Sequence, residues 1–307
     1  MNFILIFICI AAGVILSRLK LLPENAHKGV NAWVLYVAIP ALALRFIPSI
    51  EWSYHILVSI LGPIVVWVGA WLFVQIYDRK RKLPIGSRIA LLVTCGLGNT
   101  SFIGFPLISA FYGESEIKHA VLFDQTTFLL FSTVCVIAIM KASYSGGDRV
   151  EGGGVNAGDI IKKVFTFPPL VACIAALILP LFIDISPINP FLDKLVATVS
   201  PMALFSIGLQ LKLKGIKQEW RLITAGLTYK LILAPALVFL LVLAMGTTGN
   251  LARITIFEAS MSSHITASLL ASQYNMNPRY CSLIVGVGIL ASLITSTCWF
   301  LIGEVGK

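Results

Sequence analysis

Charge is what this chain of 307 residues has least of. Asp, Glu, Lys and Arg make up only 12% of it, about half the share a soluble domain carries. The apolar fraction is 58% and the mean hydropathy +0.91. A soluble globular domain is therefore excluded. The missing motifs narrow the reading further. No Gly-x-x-x-x-Gly-Lys-Ser/Thr run occurs, which argues against ATP-driven work by this chain alone. No histidine pair stands at metal-ligand spacing, and no Gly-x-Ser-x-Gly elbow marks an intramembrane hydrolase. The chain does not read as an enzyme. Cys9, Cys95, Cys135, Cys173, Cys281 and Cys298 all lie in apolar runs without Cys-x-x-Cys spacing, so they read as packing residues rather than disulfides or metal ligands.

What is present is a succession of apolar runs, each close to the ~20 residues a bilayer-spanning helix needs. Ten can be placed, at about 2–17, 28–47, 54–77, 88–111, 117–140, 166–183, 191–211, 221–245, 252–274 and 280–302. The expectation is an all-α membrane protein with ten transmembrane helices. The first run lacks the basic n-region and small-x-small cleavage site of a signal peptide, and reads as the first helix. The net charge of +9 is an orientation signal and needs no nucleic-acid partner. Loops after odd-numbered spans carry 17 basic residues, from Arg18 to Arg279, against four in the even loops: Arg45, Lys118, Lys194 and Arg253. The positive-inside rule then puts both termini on the extracytoplasmic side of a cell (inner) membrane.

A polar, glycine-rich stretch at 143–158 reads as a solvated linker. It divides the chain into a first unit (1–142), a cytoplasmic linker (143–160) and a second unit (161–307). Weak self-similarity links the halves. Cys9-Ile10-Ala11-Ala12 recurs as Cys173-Ile174-Ala175-Ala176, and Pro40-Ala41-Leu42-Ala43-Leu44 is echoed by Pro201-Met202-Ala203-Leu204-Phe205. Tyr112-Gly113 matches Tyr274-Asn275, and Leu61-Gly62-Pro63 matches Leu233-Ala234-Pro235. Five spans per half force the second half to enter from the opposite side, so the repeats are expected to be inverted.

Two spans are interrupted at equivalent places. The fourth contains Gly96, Gly98, Asn99, Thr100, Gly104 and Pro106; the ninth contains Glu258-Ala-Ser-Met-Ser-Ser-His264. Non-helical backbone survives at bilayer depth only where protein or a cavity satisfies it. Paired interruptions in two halves point to the substrate site of a secondary transporter.

Gly98-Asn99-Thr100-Ser101-Phe102-Ile103-Gly104-Phe105-Pro106-Leu107, closing on Tyr112-Gly113, resembles the auxin efflux carrier family, which includes plant PIN exporters and bacterial permeases. Met202-Ala-Leu-Phe-Ser-Ile-Gly208 and Lys230-Leu-Ile-Leu-Ala-Pro235 are similar to the same family. The resemblance implies the fold of bile-acid sodium symporters, with broken helices in the fourth and ninth spans crossing near the midplane. A core of spans 3–5 and 8–10 would move against a panel of spans 1, 2, 6 and 7, and a homodimer could form through the panel. One departure stands out: the family's Met-Pro in the ninth span is replaced here by Met261-Ser262-Ser263.

Half-helix N-termini carry free N–H groups and a positive dipole end, about 0.3–2 kcal/mol each for an anion. That suits a small carboxylate substrate, with Asn99, Thr100, Ser101, Gly104, Ser262, Ser263 and His264 as the candidate contacts. The family's substrate asparagine falls on Asn99; the competing role for it is a helix cap. Ionisable groups at depth cost roughly 2.5–3.5 kcal/mol each and are functional candidates. Glu258, Asp124 and hydroxyls such as Thr126 or Ser101 could cage a sodium ion, or Glu258 could carry a proton. Glu258 could instead pair with Lys230. Lys230, nine residues from Arg221 and so roughly 13 Å away along a helix, could also snorkel to the surface. His264 reads either as a structural hydrogen-bonding group or as a substrate contact. No other cofactor is expected. The leading function is secondary transport of small organic anions, mono- or dicarboxylates, in a lipid bilayer. The alternatives are a sodium-coupled symporter of an amphipathic anion and a non-transporting membrane sensor.

Overall fold

The computed structural model describes residues 2–50, 52–145, 168–211 and 216–305. Among them every regular element is helical. The helices are α1 (Asn2–Arg18), α2 (Ala26–Ser49), α3 (Tyr54–Arg81), α4 (Ile85–Gly96), α5 (Thr100–Phe111) and α6 (Val121–Ser143). They continue as α7 (Pro168–Leu181), α8 (Ser186–Gln210), α9 (Ile216–Ala244), α10 (Gly249–Ala259), α11 (Ile265–Gln273) and α12 (Pro278–Val305). Six of them, α2, α3, α6, α8, α9 and α12, are long and apolar enough to cross a bilayer; α1, α4, α5 and α7 are shorter apolar helices. Most of the linker expected at 143–160 lies outside the described residues.

The helices outrun the apolar windows read from the sequence. α3 continues through Asp78, Arg79 and Lys80 to Arg81, because charged side chains at a helix end reach the polar interface without unwinding the backbone. The outer faces are apolar. Phe7 and Ile8 on α1, Trp71 and Ile76 on α3, Leu240 and Leu243 on α9, and Ile294 and Leu301 on α12 are all exposed. That pattern suits lipid as the surrounding solvent.

Three prolines shape their helices in the same way. Pro40, Pro106 and Pro235 lack the N–H for an i→i−4 bond, and each is preceded by a turn of π-helix, at Val34–Ala38, Thr100–Gly104 and Tyr229–Leu233. In each case the residue just before the proline donates to a carbonyl five residues back: Ile39 to Val34, Phe105 to Thr100, and Ala234 to Tyr229. The wider turn absorbs the clash of the proline ring with the preceding turn. In α9 the Leu231 carbonyl, which Pro235 cannot bond, accepts the Trp299 indole N–H from α12 at 3.0 Å.

Packing sorts the helices into two groups. α1, α2, α7 and α8 lie together, and α3–α6 lie with α9–α12. The tightest seam joins α1 to α8, where Gly13 faces Gly208. A Cβ on Gly13 would sit 2.3 Å from the Phe205 carbonyl oxygen, and one on Gly208 the same distance from that of Ile10. With no hydrophobic drive between helices in lipid, such close backbone approach is what holds a pair together. Gly208→Ala is expected to destabilise the detergent-purified protein by the ~1–3 kcal/mol typical of overpacking, read as a lower melting temperature. Gly29→Ala, with nothing within 4 Å, should not lower it.

Candidate functional site

The two interrupted spans meet. α4 ends at Gly96 and α5 starts at Thr100; α10 ends at Ala259 and α11 starts at Ile265. The unwound residues 97–99 and 262–264 run antiparallel, with Gly98 paired to Ser263. The Asn99 N–H donates to the Ser262 carbonyl at 2.8 Å, and the His264 N–H to the Leu97 carbonyl at 3.1 Å. Each break therefore satisfies backbone groups that the other has freed. The ninth span opens without proline. The Ser260 hydroxyl turns back to the Phe257 carbonyl at 2.7 Å, beside the Ser260 N–H that bonds the same oxygen at 3.0 Å.

The remaining free end of α10 is met by Lys230. Its Nζ donates to the Ala259 carbonyl at 2.7 Å. The side chain is 1% exposed, and the amine lies against Gly98, where a Cβ would stand 3.2 Å from Nζ. The snorkelling expected from its distance to Arg221 does not occur, because a bare carbonyl at depth offers the ammonium a partner. Nor does an ion pair join Lys230 to Glu258 among the described residues.

Both carboxyls lie on the α5 side of the crossing. Asp124 on α6 is fully buried. Its Oδ1 accepts from the Thr100 hydroxyl at 2.5 Å and from the Ser101 hydroxyl. These two residues, candidate substrate contacts by sequence, are thus turned onto Asp124. Glu258 faces Gly104: a Cβ there would come within 2.5 Å of its carboxylate, which is why the motif needs glycine at that point. Thr126 is not brought into the cluster. Two residues from Asp124 is about 200° round a helix, and its hydroxyl bonds back to the Leu122 carbonyl at 2.9 Å.

His264 caps α11. Its Nδ1 accepts the Ala267 N–H at 3.3 Å, which leaves the ring proton of the neutral imidazole on Nε2. The ring stacks on Phe131 at 5.3 Å and meets Phe128 edge-on at 5.5 Å.

Several buried polar atoms at the crossing have no hydrogen-bond partner among the described residues: Asn99 Nδ2, the Ser262 and Ser263 hydroxyls, Asp124 Oδ2 and both oxygens of Glu258. Such groups are rare in a finished interior and call for an explanation. Gln125 and Ser296 share this property with their side-chain amide and hydroxyl, and sequence reasoning missed both. Neither carries charge, so the search for ionisable residues at depth passed over them. The visible signal for Gln125 was an amide beside Asp124 in an apolar run.

Asn99, Ser262 and Ser263 are 2%, 0% and 1% exposed, so the crossing is closed. Two cavities flank it along α8. One of about 350 Å³ is lined by Leu42, Phe105, Pro106, Ser109 and Pro201; another of about 150 Å³ by His27, Gln210, Ile265, Ser268 and Val285. They touch α5 and α11, the second pieces of the two interrupted spans.

Apolar outer faces and long apolar helices are those of a membrane protein, and the comparisons make it a membrane transporter rather than an enzyme. The profile of the family described as membrane transport protein matches residues 1–300. The chain belongs to this family, the auxin efflux carriers. An uncharacterized transporter of Methanothermobacter thermautotrophicus is 24% identical over 96% of this chain and 95% of its own length. A protein of Rhizobium meliloti named as a malonate transporter is 23% identical over 93% of this chain and 89% of its own. Auxin efflux carrier component 5 of Arabidopsis thaliana is 21% identical over 86% and 84% respectively.

Replacing Asp124 tests the polar cluster. Asp124→Leu strips two buried hydroxyls of their acceptor, at about 1–3 kcal/mol for each group left unmet, and should lower the melting temperature of purified protein well below that of Asp124→Asn, which keeps an acceptor oxygen.

Proposed function

We propose that this protein moves small organic anions, mono- or dicarboxylates, across the membrane by alternating access at the crossing. The observation that carries the reading is the group of unpartnered donors, Asn99 Nδ2 with the Ser262 and Ser263 hydroxyls, placed where α5 and α11 begin. The first N–H groups of both helices have no intrahelical acceptor, and both positive dipole ends favour an anion. A carboxylate at that point needs no arginine clamp. A relative named as a malonate transporter and another named as an auxin carrier fit such a substrate. In this reading the twelve helical pieces form ten spans, two inverted sets of five, with α4/α5 and α10/α11 each counted as one broken span. The group containing α1, α2, α7 and α8 is the panel, and motion of the other group against it opens one flanking cavity and then the other. The basic loops face the cytoplasm and both termini lie outside the inner membrane. The homodimer through the panel stays part of the proposal.

Glu258 is the coupling residue, and a proton is the ion it carries. Both its oxygens are buried without a partner, and a proton needs no further ligand. A sodium ion would need several oxygen ligands besides Glu258, and the Thr100 and Ser101 hydroxyls are directed at Asp124 rather than at Glu258.

Asn99→Ala should weaken malonate or indole-acetate binding about 10- to 150-fold, the loss of one hydrogen bond to a charged group, ~1.5–3 kcal/mol. Isothermal titration measures it, and unchanged affinity in a well-folded variant removes Asn99 from the site. Glu258→Gln in proteoliposomes should abolish net uptake driven by a proton gradient while substrate exchange continues. Net transport with its original ion dependence would end the coupling role.

A further inference from the structure

We infer that the crossing contains a seat for a monovalent cation and that Lys230 fills it with the chain's own ammonium, so that no sodium ion binds there. In transporters built on broken helices, the C-terminal ends of half-helices and the unwound carbonyls are where coupling cations coordinate. The end of α10 is such a place: its dipole concentrates negative potential there, and the Ala259 carbonyl has lost its helical donor. In this protein that carbonyl accepts the Lys230 ammonium at 2.7 Å. A sodium ion using the same oxygen would stand beside a fixed positive charge at depth, where like charges repel far more strongly than in water.

Three features deliver the ammonium to this point. The π-helical turn Tyr229–Leu233, imposed by Pro235, carries Lys230 on the wall of the crossing. Tyr229 fixes that turn by donating its hydroxyl to the Val66 carbonyl at 2.6 Å. Gly98 leaves room for the amine, since a Cβ would come within 3.2 Å of Nζ and 3.4 Å of Cε. A side chain 1% exposed, with no carboxylate partner among the described residues, holds its position through one carbonyl and the helix dipole. That is the environment of a bound ion rather than of a salt bridge.

Melting curves of ligand-free purified protein test this without any substrate, so the outcome is independent of the transport reading. The wild type should melt at the same temperature in sodium chloride and in choline chloride of equal ionic strength. Lys230→Ala should melt lower in choline, and titration with sodium or methylammonium chloride should restore stability saturably as the small cation enters the seat. Lys230→Met, which keeps the apolar stem, should respond to sodium more weakly than Lys230→Ala because the stem fills part of the space. A saturable stabilisation of the wild type by sodium over choline would overturn the inference, even if neither variant folds. So would variants whose loss of stability no small cation repairs, or a Lys230→Ala protein as stable in choline as the wild type.

Discussion

A backbone that leaves the helix inside a bilayer has nowhere to send its hydrogen bonds except to other protein groups. This chain answers the demand by letting two breaks satisfy each other. The pair of bonds between Asn99 and Ser262 and between His264 and Leu97 links residues more than 160 positions apart in sequence. Neither break is stable without its partner, since each unmet group at depth costs several kcal/mol. Much else follows from that pairing. Gly98 leaves room for the end of Lys230, which a Cβ there would meet at 3.2 Å, and Ser260 bonds back onto its own helix. The two breaks are tied to each other by those bonds.

The prolines show a second way of managing the same constraint. At positions 40, 106 and 235 the missing N–H is absorbed by widening one turn to π geometry. A wider turn also re-aims side chains, and two of the three turns sit at the crossing. One, Thr100–Gly104, carries the hydroxyls that hold Asp124 and the glycine against Glu258; the other carries Lys230. Proline here shapes the site by displacing its neighbours. It touches none of the polar groups itself.

Much of this was legible in the sequence. Composition dictates apolar helices facing lipid, and Gly96, Gly98, Asn99 and Pro106 mark a break wherever they occur in an apolar run. The helix ends were less legible, because the apolar window closes before Asp78 and Arg81 while the hydrogen-bond ladder does not. The ninth span was harder still. Met261-Ser262-Ser263 carries no proline, and only the partner strand at residues 97–99 explains why the helix opens there. The direction of Lys230 stayed open in the sequence for the same reason. Its partner is a backbone carbonyl 29 positions away, and a carbonyl has no sequence signature. Gln125 was overlooked because an uncharged amide in a span is cheap enough to pass as filler.

The polar groups at the crossing divide by the state of their hydrogen bonds, and the division separates architecture from proposed chemistry. Thr100, Ser101, Lys230 and the ring Nδ1 of His264 are engaged, and they fix Asp124, the end of α10 and the start of α11. Asn99, Ser262, Ser263 and Glu258 retain unmet atoms in a closed interior. Donors among these stand where two helices begin, while Lys230 sits where one ends. An incoming carboxylate would therefore meet unengaged donors and positive dipole ends without having to displace any bond that holds the crossing together. Binding would complete hydrogen bonding already built into the fold, and the closed geometry would be at its most stable when loaded. That is the condition under which a carrier crosses its occluded state with substrate and resists crossing it empty.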